Sequence, residues 1–391
     1  MKKTSNRISS IDLLRGLVMM LMALDHVRDF FHIGSMHNDP LDLQTTTPLL
    51  FFTRWVTHYC APVFIFLAGI SAYIFGQKKT KKQLSIFLLT RGLWLIVIEF
   101  TVIVLGWSFD PFYHTFVFQV IAAIGMCLII LGLMIWLPYL IILSTGILIT
   151  CFHNLIDQFE IARNGNVGFI WDILHHGGFN RYEFLPNHSI LIIYPFVPWA
   201  ALMMLGYCTG KIFTFESAQR KKILLSLGFG MIAMFFAIRL INTFGDSHHW
   251  SLQNNFLFTL LSFIDVSKYP PSLLYVLMTI GPALIFLALA EHIQNKFSAI
   301  VEVFGRVPFF YYIAHIYLIH FLTVILFFVS GHQVSEIQSN QSMFLFRAPD
   351  MGFGLAGVYV IWIFVLIVLY PVCKKFSHYK QTHQSWWLKY L

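Results

Sequence analysis

Apolar runs of about 20 residues follow one another along most of this 391-residue chain, and few folds accept such a pattern. Each run is long enough to cross about 30 Å of hydrocarbon as a helix. In lipid every backbone N–H and C=O must be satisfied internally, which leaves helices or closed barrels. Continuous apolar runs, in place of dyad alternation, select helices. Composition agrees: 58% of residues are hydrophobic and 11% charged, against about 25% charged in a soluble domain. The chain is expected to be all-α, a polytopic membrane bundle of about 10 transmembrane helices forming one domain over 1–391.

Ten spans fit, over 9–31, 48–75, 84–105, 112–136, 138–151, 190–212, 223–241, 272–290, 308–329 and 353–372. The opening "MKKTSNR" looks like the start of a signal peptide. Asp12 and Arg15 break the apolar segment behind it, and no small-x-small cleavage site follows, so a retained first span is expected. With both termini inside, 18 Lys and Arg residues fall in inner segments and 7 in outer ones, the bias of an N-in, C-in protein. The longer, His- and aromatic-rich segments 32–47, 152–189, 242–271 and 330–352 then face outward.

The formal charge of +8 does not indicate nucleic acid, because the basic residues cluster in short segments between apolar runs. The five cysteines show neither a pairing pattern nor metal spacing. No His-x-x-x-His motif, carboxylate pair or glycine-rich phosphate loop stands out, so no metal is expected.

The first span is unusual in carrying Asp12, Arg15, Asp25, His26, Arg28 and Asp29. A charge at membrane depth costs at least about 2.5 kcal/mol and is normally kept for a purpose. At about 100° per residue, Arg15 and His26 lie on one face, roughly 16 Å apart along the axis, with Asp12 and Asp29 on the same side. Asp25 and Arg28 are i, i+3 partners. The bland alternatives are an Arg15–Asp12 pair at the inner interface and a solvated Asp25–Arg28–Asp29 network at the outer one. Further along, Arg54 and His58 share a face in the second span, Lys268 precedes "YPP", and His315 and His320 fall inside the ninth span on different faces.

"RISSIDLLRGLVMMLMALDH" resembles the Arg–ten residues–His pattern of O-antigen-type membrane acyltransferases, with Arg15 and His26 in those places. A longer resemblance is to the catalytic domain of heparan-α-glucosaminide N-acetyltransferase and its bacterial relatives. It is carried in order by "IDLLRGL", "APVFIFLAG", "YPFVPWAALMMLGYCTGK", "SKYPPSLLYVLMTIGPAL" and "FGRVPFFYYIAHIYLIH". The resemblance implies transfer of an acyl group, usually acetyl, from cytoplasmic acyl-CoA to a carbohydrate acceptor across the membrane. By spacing from the "RG", the family's catalytic histidine falls on His37. The position matching His26 looks like Asn in the heparan enzyme, so both histidines are candidates here.

On that footing His37 or His26 serves as base or acyl carrier, with Asp25 or Asp29 orienting it. Arg15 would bind CoA phosphate, His315 would line the cofactor cavity, and Arg28, Arg54, His58 and Lys268 would bind the acceptor. A bacterial inner membrane and a homodimer are further expectations of the resemblance. From the residues alone, a proton-coupled transporter is the chief rival, since intramembrane Asp, Arg and His also build proton relays. A scaffold using ion pairs to fix helix register is the other.

Overall fold

The computed structural model describes residues 8–337 and 343–389, so the basic Lys2, Lys3 and Arg7 of the expected inner terminus lie outside the described residues. The described chain is predominantly helical. Among these residues, eight helices are long and apolar enough to cross a membrane: Pro48–Gly76, Lys81–Ser108, Tyr139–Ala162, Phe196–Thr214, Ser217–Ile241, Leu273–His292, Pro308–Val329 and Leu355–Thr382. The other two expected spans are also helical. Ser9–Phe31 is long enough but carries five charged residues, and Val120–Met134 has only 15 residues. The protein is an all-α polytopic integral membrane protein.

Two expected spans begin as strands. Thr115–Phe118 pairs in parallel with His188–Ile192, which pairs antiparallel with Asn180–Leu185, giving a small three-stranded sheet. The β-branched and aromatic runs "TFVF" and "ILI" suit a pleated surface, and hydropathy alone reads them as helix. Pro195 then supplies the extended residue before the Phe196–Thr209 helix.

Two compact units divide the chain. The first comprises 1–60, 106–109 and 285–391, and its centre is the Ser9–Phe31 helix. That helix packs on Lys296–Arg306, Pro308–Val329 and Leu355–Thr382. The closest approach is glycine-mediated. A Cβ on Gly16 would lie 2.0 Å from the Val301 carbonyl oxygen, and one on Gly305 would lie 1.8 Å from that of Asp12. Small residues permit such backbone contact where lipid supplies no hydrophobic drive between helices. Around the crossing, Ser9 donates to Glu302 at 2.5 Å and Arg306 holds the other Glu302 oxygen at 2.6 Å. At the helix's other end, Ile33 N–H donates to the Phe353 carbonyl at 3.2 Å, and Phe353 N–H to that of Phe31 at 2.7 Å. Gly352, at φ +134°, lets the chain pass close to Ile33.

The second unit comprises 61–105 and 110–284. Gly92 faces Gly125, so the Lys81–Ile98 and Val120–Met134 helices meet closely, and Gly69 and Gly206 do the same for Cys60–Gly76 and Phe196–Thr209. A π-turn at Glu99–Ile103 interrupts the Lys81–Ser108 run. It turns fully buried Glu99 onto the start of Val120–Met134, where one carboxylate oxygen accepts the Ala122 N–H at 2.8 Å. Gln119 provides no side-chain cap there, so Glu99 meets both an orphan donor and the positive end of the helix. The segment after Ser217–Ile241 is gathered by buried Arg239, which donates to the carbonyls of Phe263, His248, Ser262 and Asp265 at 2.5–3.0 Å. Asp246 accepts from Ser267 and Ser272 in the same segment.

Candidate active site

The charged end of the first helix builds a polar cluster wholly within the first unit. Asp25 is held by Arg54 at 2.5 Å, by Arg28 at 3.0 Å and by the Thr57 hydroxyl at 2.9 Å. Arg28 also meets Asp29 at 2.5 Å. Pro48–Thr57 carries Arg54 and Thr57 one turn apart, so this helix supplies two of the three donors to Asp25. The i, i+3 pairing of Asp25 with Arg28 matches the sequence expectation.

Arg28 is 5% exposed, and its bonds to both carboxylates run through Nη2. Its Nε and Nη1 are buried with no hydrogen-bond partner among the described residues. Leaving a buried donor unmet costs about 1–3 kcal/mol, more for a charged group. These donors belong to a residue that lines a cavity of about 320 Å³, together with Asp29, His32, Ser35, Thr46 and Leu355 among others. The cavity thus has a cationic side chain in its wall, suited to a carbonyl or anionic oxygen.

One turn below, His26 Nδ1 lies 2.8 Å from His315 Nε2 with the two rings nearly parallel. His315 is fully buried, and its Nδ1 lies 2.9 Å from the Tyr311 carbonyl. A carbonyl can only accept, so His315 carries its proton on Nδ1. In the neutral ring Nε2 is then an acceptor, His26 donates through Nδ1, and His26 Nε2 bears the lone pair. Trp107 meets the His26 ring edge-on at 4.7 Å between centroids, and Tyr311 stacks on His315. Histidine is the side chain whose ordinary range allows proton transfer near neutral pH.

The expected site residues therefore separate. Asp25, Asp29, Arg28 and Arg54 form one ion-pair cluster, and His26, on the same first helix as Asp25, Arg28 and Asp29, makes a ring pair with His315. His315 is one partner of the His26 ring, and the expected orienting carboxylates Asp25 and Asp29 are held by arginines. His37 sits exposed on a turn, its N–H bonded to the Gly34 carbonyl at 3.2 Å. His58 is buried and ends the Pro48–Thr57 helix. Arg15 meets Asp12 at 3.2 Å, the bland pairing foreseen for it. Lys268 belongs to the second unit, its ammonium 4.9 Å from the Tyr269 ring centre and 5.9 Å from that of Tyr194. His320 lies between the Gly106 and Leu345 carbonyls, a different environment from that of His315 five residues earlier.

Sequence reasoning missed Trp107, which enters this unit from a short segment of distant sequence, and Arg347. The latter binds the His32 carbonyl at 2.8 Å and Ser35 Oγ at 3.2 Å, fixing the segment after the first helix. Tyr311 and Tyr312 could have been found from their i, i+4 and i, i+3 spacing to His315.

No curated protein matches the chain. The family described as heparan-alpha-glucosaminide N-acetyltransferase, catalytic, matches over residues 7–246, a stretch that includes the charged first helix and the Arg54 helix. With more than half of its length matched, this integral membrane protein belongs to that family of membrane acyltransferases.

Proposed function

We propose that the protein moves an acyl group, acetyl in the first instance, from cytoplasmic acyl-CoA to an amine or hydroxyl of a carbohydrate on the far side of a membrane. In this reading the termini are inside and the membrane is a bacterial inner membrane. The observation that carries the proposal is the His26–His315 ring pair within the first unit, with His26 on the helix that also carries Arg28.

His26 Nε2 removes the proton from the attacking amine or hydroxyl. The resulting imidazolium keeps its Nδ1–H on His315, whose own proton stays on the Tyr311 carbonyl. Nucleophile attack on the thioester places negative charge on the former carbonyl oxygen, for which Arg28 is the assigned cation. Collapse of this adduct breaks the C–S bond and expels CoA as thiolate, which takes the proton from the His26 imidazolium. Asp25 and Asp29 hold the guanidinium in place. Arg54 and His58 belong to the acceptor side, and Arg15 to the CoA phosphates. The acyl-carrier alternative uses the same His26 lone pair, with an N-acyl imidazole formed and then cleaved by the acceptor.

The test uses detergent-purified protein reconstituted in vesicles with labelled acetyl-CoA and a panel of amino sugars and sugar alcohols. Transfer that is lost in His26→Ala and retained in His37→Ala supports the assignment, and labelled enzyme trapped without acceptor identifies the carrier route. If both variants transfer like wild type, the histidine mechanism fails. If folded wild type neither binds nor consumes acetyl-CoA, the acyl-CoA donor fails with it.

A further inference from the structure

A second histidine cluster lies in the other unit, in the segment after the Tyr139–Phe152 helix, and the acyl-transfer reading makes no use of it. His153 opens a 3-10 turn, Asp157 begins the short helix after it, and His175 comes from a π-turn over Asp172–His176. All three side chains are buried, and one donor atom from each lies within 4.8 Å of the others. We propose that His153 Nδ1, His175 Nε2 and Asp157 Oδ1 bind a divalent transition cation of the zinc class.

Three independent features point to a ligand. The first is spacing: the facing ring nitrogens are 3.0 Å apart, close to the roughly 3.3 Å edge of a tetrahedron with metal–nitrogen bonds of about 2.0–2.1 Å. The second is orientation. Histidine ligands characteristically donate their other ring N–H to a carbonyl or carboxylate, which fixes the tautomer and ring angle. Here His153 donates through Nε2 to the Pro271 carbonyl at 3.0 Å, and His175 through Nδ1 to Glu160 at 2.6 Å. Glu160 is itself held by the Trp171 indole N–H at 2.7 Å. The third is an unmet acceptor. Asp157 is 5% exposed; its Oδ2 accepts from Asn154 at 3.0 Å, while Oδ1 is buried with no hydrogen-bond partner among the described residues.

Without metal, one proton must sit between the two ring nitrogens. A cation replaces that proton and supplies the missing partner of Asp157 in the same step. Two imidazoles and one carboxylate suit zinc, cobalt or nickel better than calcium or magnesium, which prefer oxygen shells. Three protein ligands leave a fourth tetrahedral position for water or a substrate atom. Spacing rules on the sequence overlook the site because His175 is 22 residues from His153, although His153 and Asp157 alone have the i, i+4 relation of helical ligands.

Tag-free, detergent-purified full-length protein is loaded with zinc, desalted and assayed for bound metal by mass spectrometry, and titrated separately with cobalt while the visible spectrum is followed. The expected result is one retained zinc per chain, with intense tetrahedral d–d bands on cobalt addition. Both are absent in His153→Ala/His175→Ala, while Glu160→Gln binds about 10- to 100-fold more weakly through loss of the supporting carboxylate. If folded wild type retains no zinc and gives no cobalt bands, the proposal is overturned and the cluster is a closed hydrogen-bond relay. Metal retained equally by wild type and a folded double variant overturns it too. Should the double variant not fold, the milder Glu160→Gln variant decides: unchanged zinc retention and unchanged cobalt bands in it would overturn the proposal.

Discussion

His315 offers the sharpest test of the proposed chemistry because it acts on the acceptor only through His26. Replacing it with alanine removes the acceptor 2.8 Å from His26 Nδ1 and opens a hole beside Tyr311 and Tyr312. A buried donor left without its partner costs about 1–3 kcal/mol, and if that loss falls on the transition state, kcat/KM drops about 5- to 150-fold. Removing the base itself, as in His26→Ala, costs about 10²- to 10⁴-fold. His315→Gln is the informative control. Its amide oxygen can accept from His26 Nδ1, so it should recover a large part of the rate, which a purely structural role would not predict. The assay is initial-rate acetyl transfer in vesicles at several acceptor concentrations, with the losses expected in kcat more than in KM. Wild-type kcat/KM in a folded His315→Ala protein would refute the reasoning. Equal losses in His315→Gln and His315→Ala would remove the hydrogen bond from the argument.

Glu99→Leu should lower the detergent melting temperature by an amount equivalent to about 1–2 kcal/mol, because the Ala122 N–H loses its cap, whereas Glu99→Gln keeps an acceptor and should lose less; equal melting of all three proteins would show that Glu99 does not cap that helix. His32 sits just beyond the first helix, and burial, with Arg28 and Arg347 adding to it, lowers its pKa from the ordinary 6.5. Its Nδ1 accepts the Gly34 N–H at 3.2 Å, so the fold prefers the neutral ring. The unfolded chain then binds the proton more readily, and stability should fall as pH drops below about 6.5, levelling below the lowered value. His32→Gln should flatten that part of a melting-temperature profile; an unchanged slope would rule His32 out as its source.

Much of the architecture was legible in the sequence because lipid imposes a simple rule: a stretch that crosses must be apolar and must satisfy its own backbone. The first helix falls on the expected 9–31, and nine further helical runs follow the expected order. The same rule misread 112–136 and 190–212 at their beginnings. Hydropathy does not distinguish an apolar strand from an apolar helix, and Thr115–Phe118 and His188–Ile192 are strands because each has the other as partner. The Asp25–Arg28 pair of the first helix was also legible, since helical periodicity sets residues three apart side by side.

Partners across the fold were not legible, and there the tertiary structure decides. Nothing local to His26 indicates that its ring meets His315, 289 residues away, or that Asp25 goes to Arg54 and Thr57. The same holds for the meeting of His153, Asp157 and His175, and for the burial of two Arg28 donors without a partner among the described residues. By itself the sequence determined that this chain must be a helical membrane bundle with charge retained in its first helix, because periodicity and transfer energy are local properties. Which charges neutralise one another, and which are left with capacity for a ligand, depends on side chains from distant segments sharing one buried volume, and only the folded chain brings those segments together.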